Sequence, residues 1–413
     1  MKKKFKFIDL FSGIGGFHQA MRVLGGECVF SSEIDPFAIQ TYEENYKINP
    51  QNDITKIKAS DIPAHDVLCA GFPCQAFSKA GSQLGFEDKI KGTLFFDIVR
   101  ILKTHKTPYI ILENVRNLVS HDKGRTWETI KESLIQLGYV ITENPIIISP
   151  HHIGIPQHRE RVLILGIHKS VGIKQLDINF QKINKNDIDI FESNILERSN
   201  ELEEYFISEY EEMVLNCWNE FIKGISFIPV KKPKSNNYIK KEFNGTMGFP
   251  IWVNEFNNDE ADINGIPKWK KEIILKNRSL YINNKEFIDK WLNKWNYLKN
   301  FSNTEKKMEW QCGNSCKEIW DGIIQFRPSG IRVKSPNIFP ALVAMVQIPI
   351  IGKLKRRLTP REAARLQSFP DDFKIHENKY QAYKQFGNAV NINVISFIAE
   401  QLFQQKQKKN SDK

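Results

Sequence analysis

Residues 5–24 read FKFIDLFSGIGGFHQAMRVL: an unbroken apolar run enters three glycines and emerges with apolar groups at Ile14, Phe17, Met21 and Leu24. A run without polar alternation belongs to a strand buried on both faces, and the later spacing is that of a helix packed along one side. Buried strand, tight turn and helix make the unit that builds a parallel sheet covered by helices. The pattern then repeats. CVFSSEI, DVLCAG, YIILENV, YVITENPIIIS and RVLILGI read as strands. PFAIQTYEENY, LFFDIVRILKTH and a segment with Trp127, Ile130, Leu134 and Leu137 on one face read as helices. The expected class is α/β, with a mostly parallel sheet and helices on both faces.

After about residue 170 the alternation fades. Residues 171–330 are rich in Asn, Lys, Ile and Trp, and VKKPKSNNYIKK places five lysines around a turn. A second, smaller and irregular domain is expected over 171–379, with 1–170 and 380–413 forming the first. Thr359, Pro360, Arg361 and Glu362 read as a capping box with proline at the first helical position, a hinge helix near 359–368. The polar tail QQKQKKNSDK is expected to fray.

The amino terminus passes from lysines straight into a strand pattern containing Asp9, with neither the apolar region nor the cleavage site of a signal peptide. No run of about 18 apolar residues occurs. A cytoplasmic protein is expected. Its net charge of +11 and pI near 9.1 fit a polyanionic partner, commonly nucleic acid, or a lysine-rich surface kept for solubility.

Six unevenly spaced cysteines make no disulfide framework. Cys28 and Cys69 fall in apolar runs. Cys312 and Cys316 supply half a zinc ligand set without a second pair, and His151, His152 and His158 lack a metal-site spacing. No metal is expected.

The chemistry-bearing residues gather where strands end. Gly13, Gly15 and Gly16 let backbone pass close to a ligand, at a helix amino terminus that favours negative charge. Some 20 residues on, Glu33 ends the next strand, where a carboxylate can accept ribose hydroxyls. Asp61 is expected at a further strand end, completing a nucleoside site. In AGFPCQAFS, Gly71 and Pro73 put Cys74 in a loop at a strand's carboxyl end, and a thiolate there is a nucleophile. Glu113 in ENV ends a strand on the same rim and could give a proton to a ring nitrogen. Arg159 and Arg161 in PQHRER alternate as on one strand face, although each arginine singly could be a surface ion pair. YKQFGNAV, with Gly387 and Asn388, reads as a turn packed on a ligand.

The ordered set DLFSGIGGF, GFPCQAFS, GTLFF, ENV, PQHRER, RLTPREAARLQSFP and YKQFGNAV resembles the motif series of the DNA (cytosine-5)-methyltransferases of restriction-modification systems. The likeness spans residues 5–167 and 353–397. It implies a Rossmann-like S-adenosylmethionine-dependent methyltransferase sheet, and a target-recognition region in the middle that the motifs do not reach. It also implies roles. Cys74 adds to carbon 6 of a flipped-out cytosine; Glu113 contacts ring nitrogen 3 and the exocyclic amine; Arg161, supported by Arg159, holds the base carbonyl. Phe11, Gly13, Gly15, Glu33, Ile34, Asp61, Ile62, Pro73, Leu94, Asn388 and Val390 line the cofactor pocket. Residues 79–93 suit a lid over the flipped base. The partner implied is double-stranded DNA, met by a monomer, with a cognate restriction endonuclease as functional counterpart. One departure is Ala341-Leu342, where the family often has Thr-Leu.

Two other readings stay open on sequence alone. A transfer-RNA cytosine methyltransferase would share the fold and the motifs. A non-catalytic DNA-binding protein would need neither Cys74 nor Glu113.

Overall fold

The computed structural model of the chain describes residues 4–50, 53–73, 94–183, 188–198, 202–231, 238–256, 263, 265–342 and 347–411. The chain forms two compact units: residues 1–188, 341–346 and 360–413 in the first, 189–340 and 347–359 in the second.

The first unit is built on β1 (Phe5–Leu10), α1 (Gly16–Val23), β2 (Gly26–Ser32), α2 (Pro36–Tyr46), β3 (Val67–Gly71), α3 (Phe95–His105), β4 (Tyr109–Val115) and α4 (Arg125–Gln136). β1 pairs in parallel with β2 on one side and β3 on the other, and β3 pairs in parallel with β4. Beyond β4 the direction reverses. The strand Arg161–His168 is antiparallel to β4 and also to Tyr139–Ile141 and Ile146–Ile148. The sheet is therefore mixed, and the expected parallel pairing extends only through β4. Antiparallel neighbours need no crossover helix, and short loops lead into these last strands.

Each element follows from its residues. Phe7, Ile8 and Leu10 are fully buried, as an unalternating strand requires. Asp35 caps α2, its carboxylate accepting from Phe37 N and Ala38 N, with Pro36 at the first helical position. α3 buries Phe95, Ile98, Ile101 and Leu102.

The boundaries differ from 170 and 380. Ile173 and Leu176 are buried, and Phe180 meets Phe397 edge-on with centroids 5.6 Å apart, which keeps the chain with the first unit to Ile188. On the return, α8 (Pro360–Leu366) buries Ala363, Ala364 and Leu366, and Phe369 packs on Phe373 and Phe386. α9 (Lys379–Asn388) and α10 (Ile392–Ser411) complete this unit. The α10 backbone is helical through Ser411, into the polar tail.

The second unit is more regular than its composition suggests. α5 (Glu209–Gly224) opens on a capping box of Ser208 and Glu211 and buries Val214, Leu215, Trp218, Phe221 and Ile222 at helical spacing. With α6 (Lys268–Asn283) and α7 (Lys285–Lys294) it packs a core holding Trp291, Leu280 and Ile288. Strands Phe227–Lys231 and Tyr238–Glu242 form a hairpin. A six-stranded sheet contributes Met308, Trp310, Ile331 and Val333 to the same core. Cys312 and Cys316 are buried there, so their spacing serves packing. Among the described residues no three His, Cys, Asp or Glu side chains could hold a metal ion together, and no helix is long and apolar enough to cross a membrane.

Candidate active site

The sheet order β2-β1-β3-β4 reverses direction between β1 and β3, and a ligand crevice is expected at the carboxyl ends of the strands beside such a switch. A cavity of about 450 Å³ lies there. Its floor is the turn after β1. Phe11, Gly13 and Gly15 have φ of 56°, 54° and 84°, all left-handed. Phe11 takes this conformation with a side chain, a strain kept where the surrounding structure imposes it. Gly16 has no room for more: a Cβ would stand 2.7 Å from Val390 Cγ2 and 2.9 Å from its carbonyl oxygen. Thus the first turn of the chain and its last motif touch.

Glu33, directly after β2, accepts from Gly13 N (2.8 Å), Ile34 N (2.8 Å) and Asp35 N (2.9 Å). These bonds fix the carboxylate, which as an acceptor of about four hydrogen bonds keeps capacity for a ligand hydroxyl. Ile34 beside it is 70% exposed. On the far rim Lys384 pairs with Asp35 at 2.7 Å, and Gln385 donates to Phe37 O, holding α9 against α2. Ser12 lines the cavity with a buried hydroxyl that has no hydrogen-bond partner among the described residues.

The opposite wall carries different chemistry. Gly71 on β3 stands in register with Glu113 on β4. Glu113 is only 9% exposed, and Arg161 Nε lies 3.0 Å from its Oε1. Burial raises the Glu113 carboxyl above the ordinary glutamate value, and the charges of Arg161 and Arg159 offset this only in part. A buried carboxyl with a raised pKa is suited to hold a proton and give it up. Arg159 is not on the strand face with Arg161. It precedes the strand, donating from Nη1 to Leu342 O and from Nη2 to Ala389 O, and its buried Nε has no partner among the described residues. Burial, then Arg161, pulls this guanidinium below its usual value. Leu342 here contributes through its backbone, so Ala341 in place of a threonine does not remove that contact. Asn114 donates to Phe72 O at 2.8 Å, anchoring the loop that leads to Cys74. Cys74 and residues 79–93 lie outside the described residues.

Phe11, Gly13, Glu33, Ile34, Pro73, Leu94, Asn388 and Val390 all line the cavity, with Glu113, Arg159 and Arg161. Three expected cofactor residues do not. Gly15 lies beneath the turn, where a Cβ would stand 2.3 Å from the Tyr46 ring. Ile62 belongs to the core, and the exposed Asp61 accepts from Ser60. The cavity instead takes Asp53 and Ile54. The sequence holds the pair Asp-Ile twice, DITKIKASDI, and the earlier copy reaches the cavity because the later one leads down into β3. That repetition was the available signal.

A profile of C-5 cytosine-specific DNA methylases matches residues 5–404. The Type II methyltransferase M.BanI of Aneurinibacillus aneurinilyticus is 36% identical over 97% of this chain and 96% of its own length. M.HhaI of Haemophilus parahaemolyticus is 32% identical over 95% and 93%. Among solved structures, a protein described as a DNA modification methyltransferase encoded within an E. coli prophage shares the fold, at 20% identity, a TM-score of 0.54 and coverage of 97% and 99%. The motif order, the cavity at the switch point and these likenesses agree: the chain belongs to the C-5 cytosine-specific DNA methylases, enzymes whose methyl donor is S-adenosylmethionine.

Proposed function

We propose that this enzyme methylates one cytosine within a short fixed sequence of duplex DNA, and that its cavity holds donor and base together. The observation that carries the reading is the meeting, in one cavity, of a nucleoside wall (Glu33, Ile34, Asp53) and a proton-bearing wall (Glu113, Arg161, Arg159).

The donor fits the first wall. Glu33 would take the ribose, Asp53 and Ile34 would border the base, and the turn Phe11–Gly16 with the unpartnered Ser12 hydroxyl would face the amino-acid end. Bound there, S-adenosylmethionine supplies an electrophilic sulfonium methyl. The rest is the work of the chain. Cys74 adds as thiolate to carbon 6 of the cytosine, while Glu113 gives its proton to ring nitrogen 3. The electron pair released onto carbon 5 makes that carbon a nucleophile, and it takes the methyl group. Water then takes the carbon-5 proton, the 5,6 double bond re-forms with expulsion of the thiolate, and the Glu113 carboxylate recovers the proton from ring nitrogen 3. Covalent addition thus splits one difficult step into easier ones. Arg161, and the free Nε of Arg159, would hold the base carbonyl. The base must leave the stack, at a cost of a few kcal/mol.

In this reading the second unit is the target-recognition region, because the motifs of the first are committed to base and cofactor, and α8 is the hinge. Base edges are distinguishable in the major groove, so sequence is read there. The enzyme acts as a cytoplasmic monomer, and a cognate restriction endonuclease is its functional counterpart.

The test is expression in a methylation-free host with base-resolution sequencing of 5-methylcytosine. One enriched motif supports the reading. Methylation without context would overturn sequence specificity, and methylation confined to RNA would overturn the DNA substrate.

The wall assignment carries its own expectation. Asp53→Ala should weaken S-adenosylmethionine binding by roughly 10-fold or more, the worth of one hydrogen bond to a charged group. Asp61→Ala should change it less than about twofold. Calorimetric titration of both variants decides, and the reverse ranking would restore Asp61.

A further inference from the structure

α1 begins without a cap of its own, because Gly15 at the N-cap has no side chain to offer. The backbone groups that a helix start leaves open are met by side chains from elsewhere in the first unit. His18 N, which in a longer helix would meet Ile14 O, donates instead to Asp9 Oδ2 at 3.2 Å. The carbonyls of the turn are met by Tyr46, the last residue of α2. Its hydroxyl donates toward Ile14 O at 3.2 Å and Gly15 O at 3.1 Å, spanning two consecutive peptide units. Gly15 O also receives Gln19 N at 3.0 Å, whereas Ile14 O has no other partner among the described residues. The Tyr46 ring stacks on the His18 ring, with centroids 3.9 Å apart and planes 16° from parallel, and this fixes where the hydroxyl stands.

The same helix holds the far rim of the donor cavity. Besides the pair Asp35–Lys384, Phe37 O and Thr41 Oγ1 each accept from Gln385 Nε2 at 3.0 Å. Asn45 donates to Lys374 O at 3.0 Å and accepts from Lys374 N at 2.8 Å. α2 thus fastens both the segment that brings Lys384 and Gln385 to the cavity and, through Tyr46, the turn that brings Gly13 and Ile14 to it. A segment holding three glycines samples many paths when left free. A ligand that needs one of those paths spends binding energy on ordering it.

We infer that Tyr46 is a positioning residue for S-adenosylmethionine. Its hydroxyl holds the turn Phe11–Gly16 in the path that receives the donor, while Tyr46 itself does not line the cavity. The inference rests on the reading above, in which this turn faces the amino-acid end of the donor.

The test uses the full-length enzyme with Tyr46→Phe, which removes the hydroxyl and keeps the stacked ring. Tyr42→Phe is the control. It removes a hydroxyl from a fully buried tyrosine of the same helix, but one that meets His18 Nδ1 at 2.7 Å and Cys28 Sγ at 3.8 Å rather than the turn. A merely structural loss would move both variants alike. Tyr46→Phe alone should raise the KM for S-adenosylmethionine, by about 3- to 10-fold, the worth of one hydrogen bond. Its kcat at saturating donor should not fall by more than about twofold, and its KM for duplex DNA should stay within about twofold. In calorimetric titration, S-adenosylhomocysteine should bind this variant more weakly by the same factor as the donor. Adenosine, which has no amino-acid end, should bind within about twofold of its wild-type affinity. An unchanged donor KM in Tyr46→Phe overturns the inference. So does an equal rise in Tyr42→Phe, or a fall in kcat without a rise in KM. Adenosine weakened as much as the donor would overturn the placing of the turn at the amino-acid end and leave Tyr46 in its role.

Discussion

Cys74→Ala should leave methyl transfer below about one part in 10⁴ of the wild-type rate, the scale on which removal of a covalent nucleophile is felt. The reason is electronic. Carbon 5 of an aromatic pyrimidine is a poor nucleophile, and the thiolate's addition to carbon 6 is what places an electron pair on it. Because the sulfur bonds the base and not the donor, S-adenosylmethionine affinity should stay within a few-fold. The same step gives a positive signature. Duplex DNA with 5-fluorocytosine at the target should trap the wild-type enzyme in a denaturant-resistant adduct, since fluorine cannot leave as the proton does. Cys74→Ala should form none. Wild-type-like turnover in the variant, or no adduct on an otherwise active enzyme, would each remove Cys74 from the mechanism.

Glu113→Gln should cost about 10²–10⁴-fold in rate, the usual worth of a positioned acid, while DNA binding persists. Glutamine preserves shape and hydrogen bonding toward Arg161 but has no acidic proton. The pH profile separates this role from simple packing. Burial raises the Glu113 pKa, so the proton is retained to higher pH than in an exposed glutamate. The rate should then fall as pH climbs through that raised value, as donor is lost. Arg161 favours the carboxylate, so Arg161→Ala should carry the fall to higher pH while lowering the rate overall. A Glu113→Gln enzyme keeping more than half its rate, or an Arg161→Ala limb displaced to lower pH, would refute the assignment.

Much of this site was legible because its residues sit where strand patterns end. Gly13, Glu33 and Glu113 each follow or close an apolar run, and the cavity gathers them. What escaped was whatever depends on path rather than pattern. Asp53 and Asp61 head identical dipeptides, and only the route of the chain into β3 tells which reaches the cavity. Arg159 and Arg161 alternate in sequence, yet Arg159 lies before the strand and is tied to Leu342 and Ala389, partners separated from it by 183 and 230 positions. The boundary at 188 was hidden because Ile173, Leu176 and Phe180 pack into the first unit without any regular spacing. The direction of Arg161–His168 was hidden for a related reason: a doubly covered strand is equally apolar whether its neighbours run with it or against it.

The meeting of Gly16 and Val390 also sets a clock. A ribosome adding about 5–20 residues per second needs roughly 20 to 75 seconds to travel from one of these residues to the other. For much of that interval the segments that carry Glu33 and Glu113 can already have left the ribosome, while the side of the pocket supplied by Asn388 and Val390 does not yet exist. An emerging chain therefore has a nucleophile before it has a closed donor site. Methylating capacity should arrive late and all at once, with the segment 384–390, so that chains cut short anywhere in the second unit are silent rather than partly active.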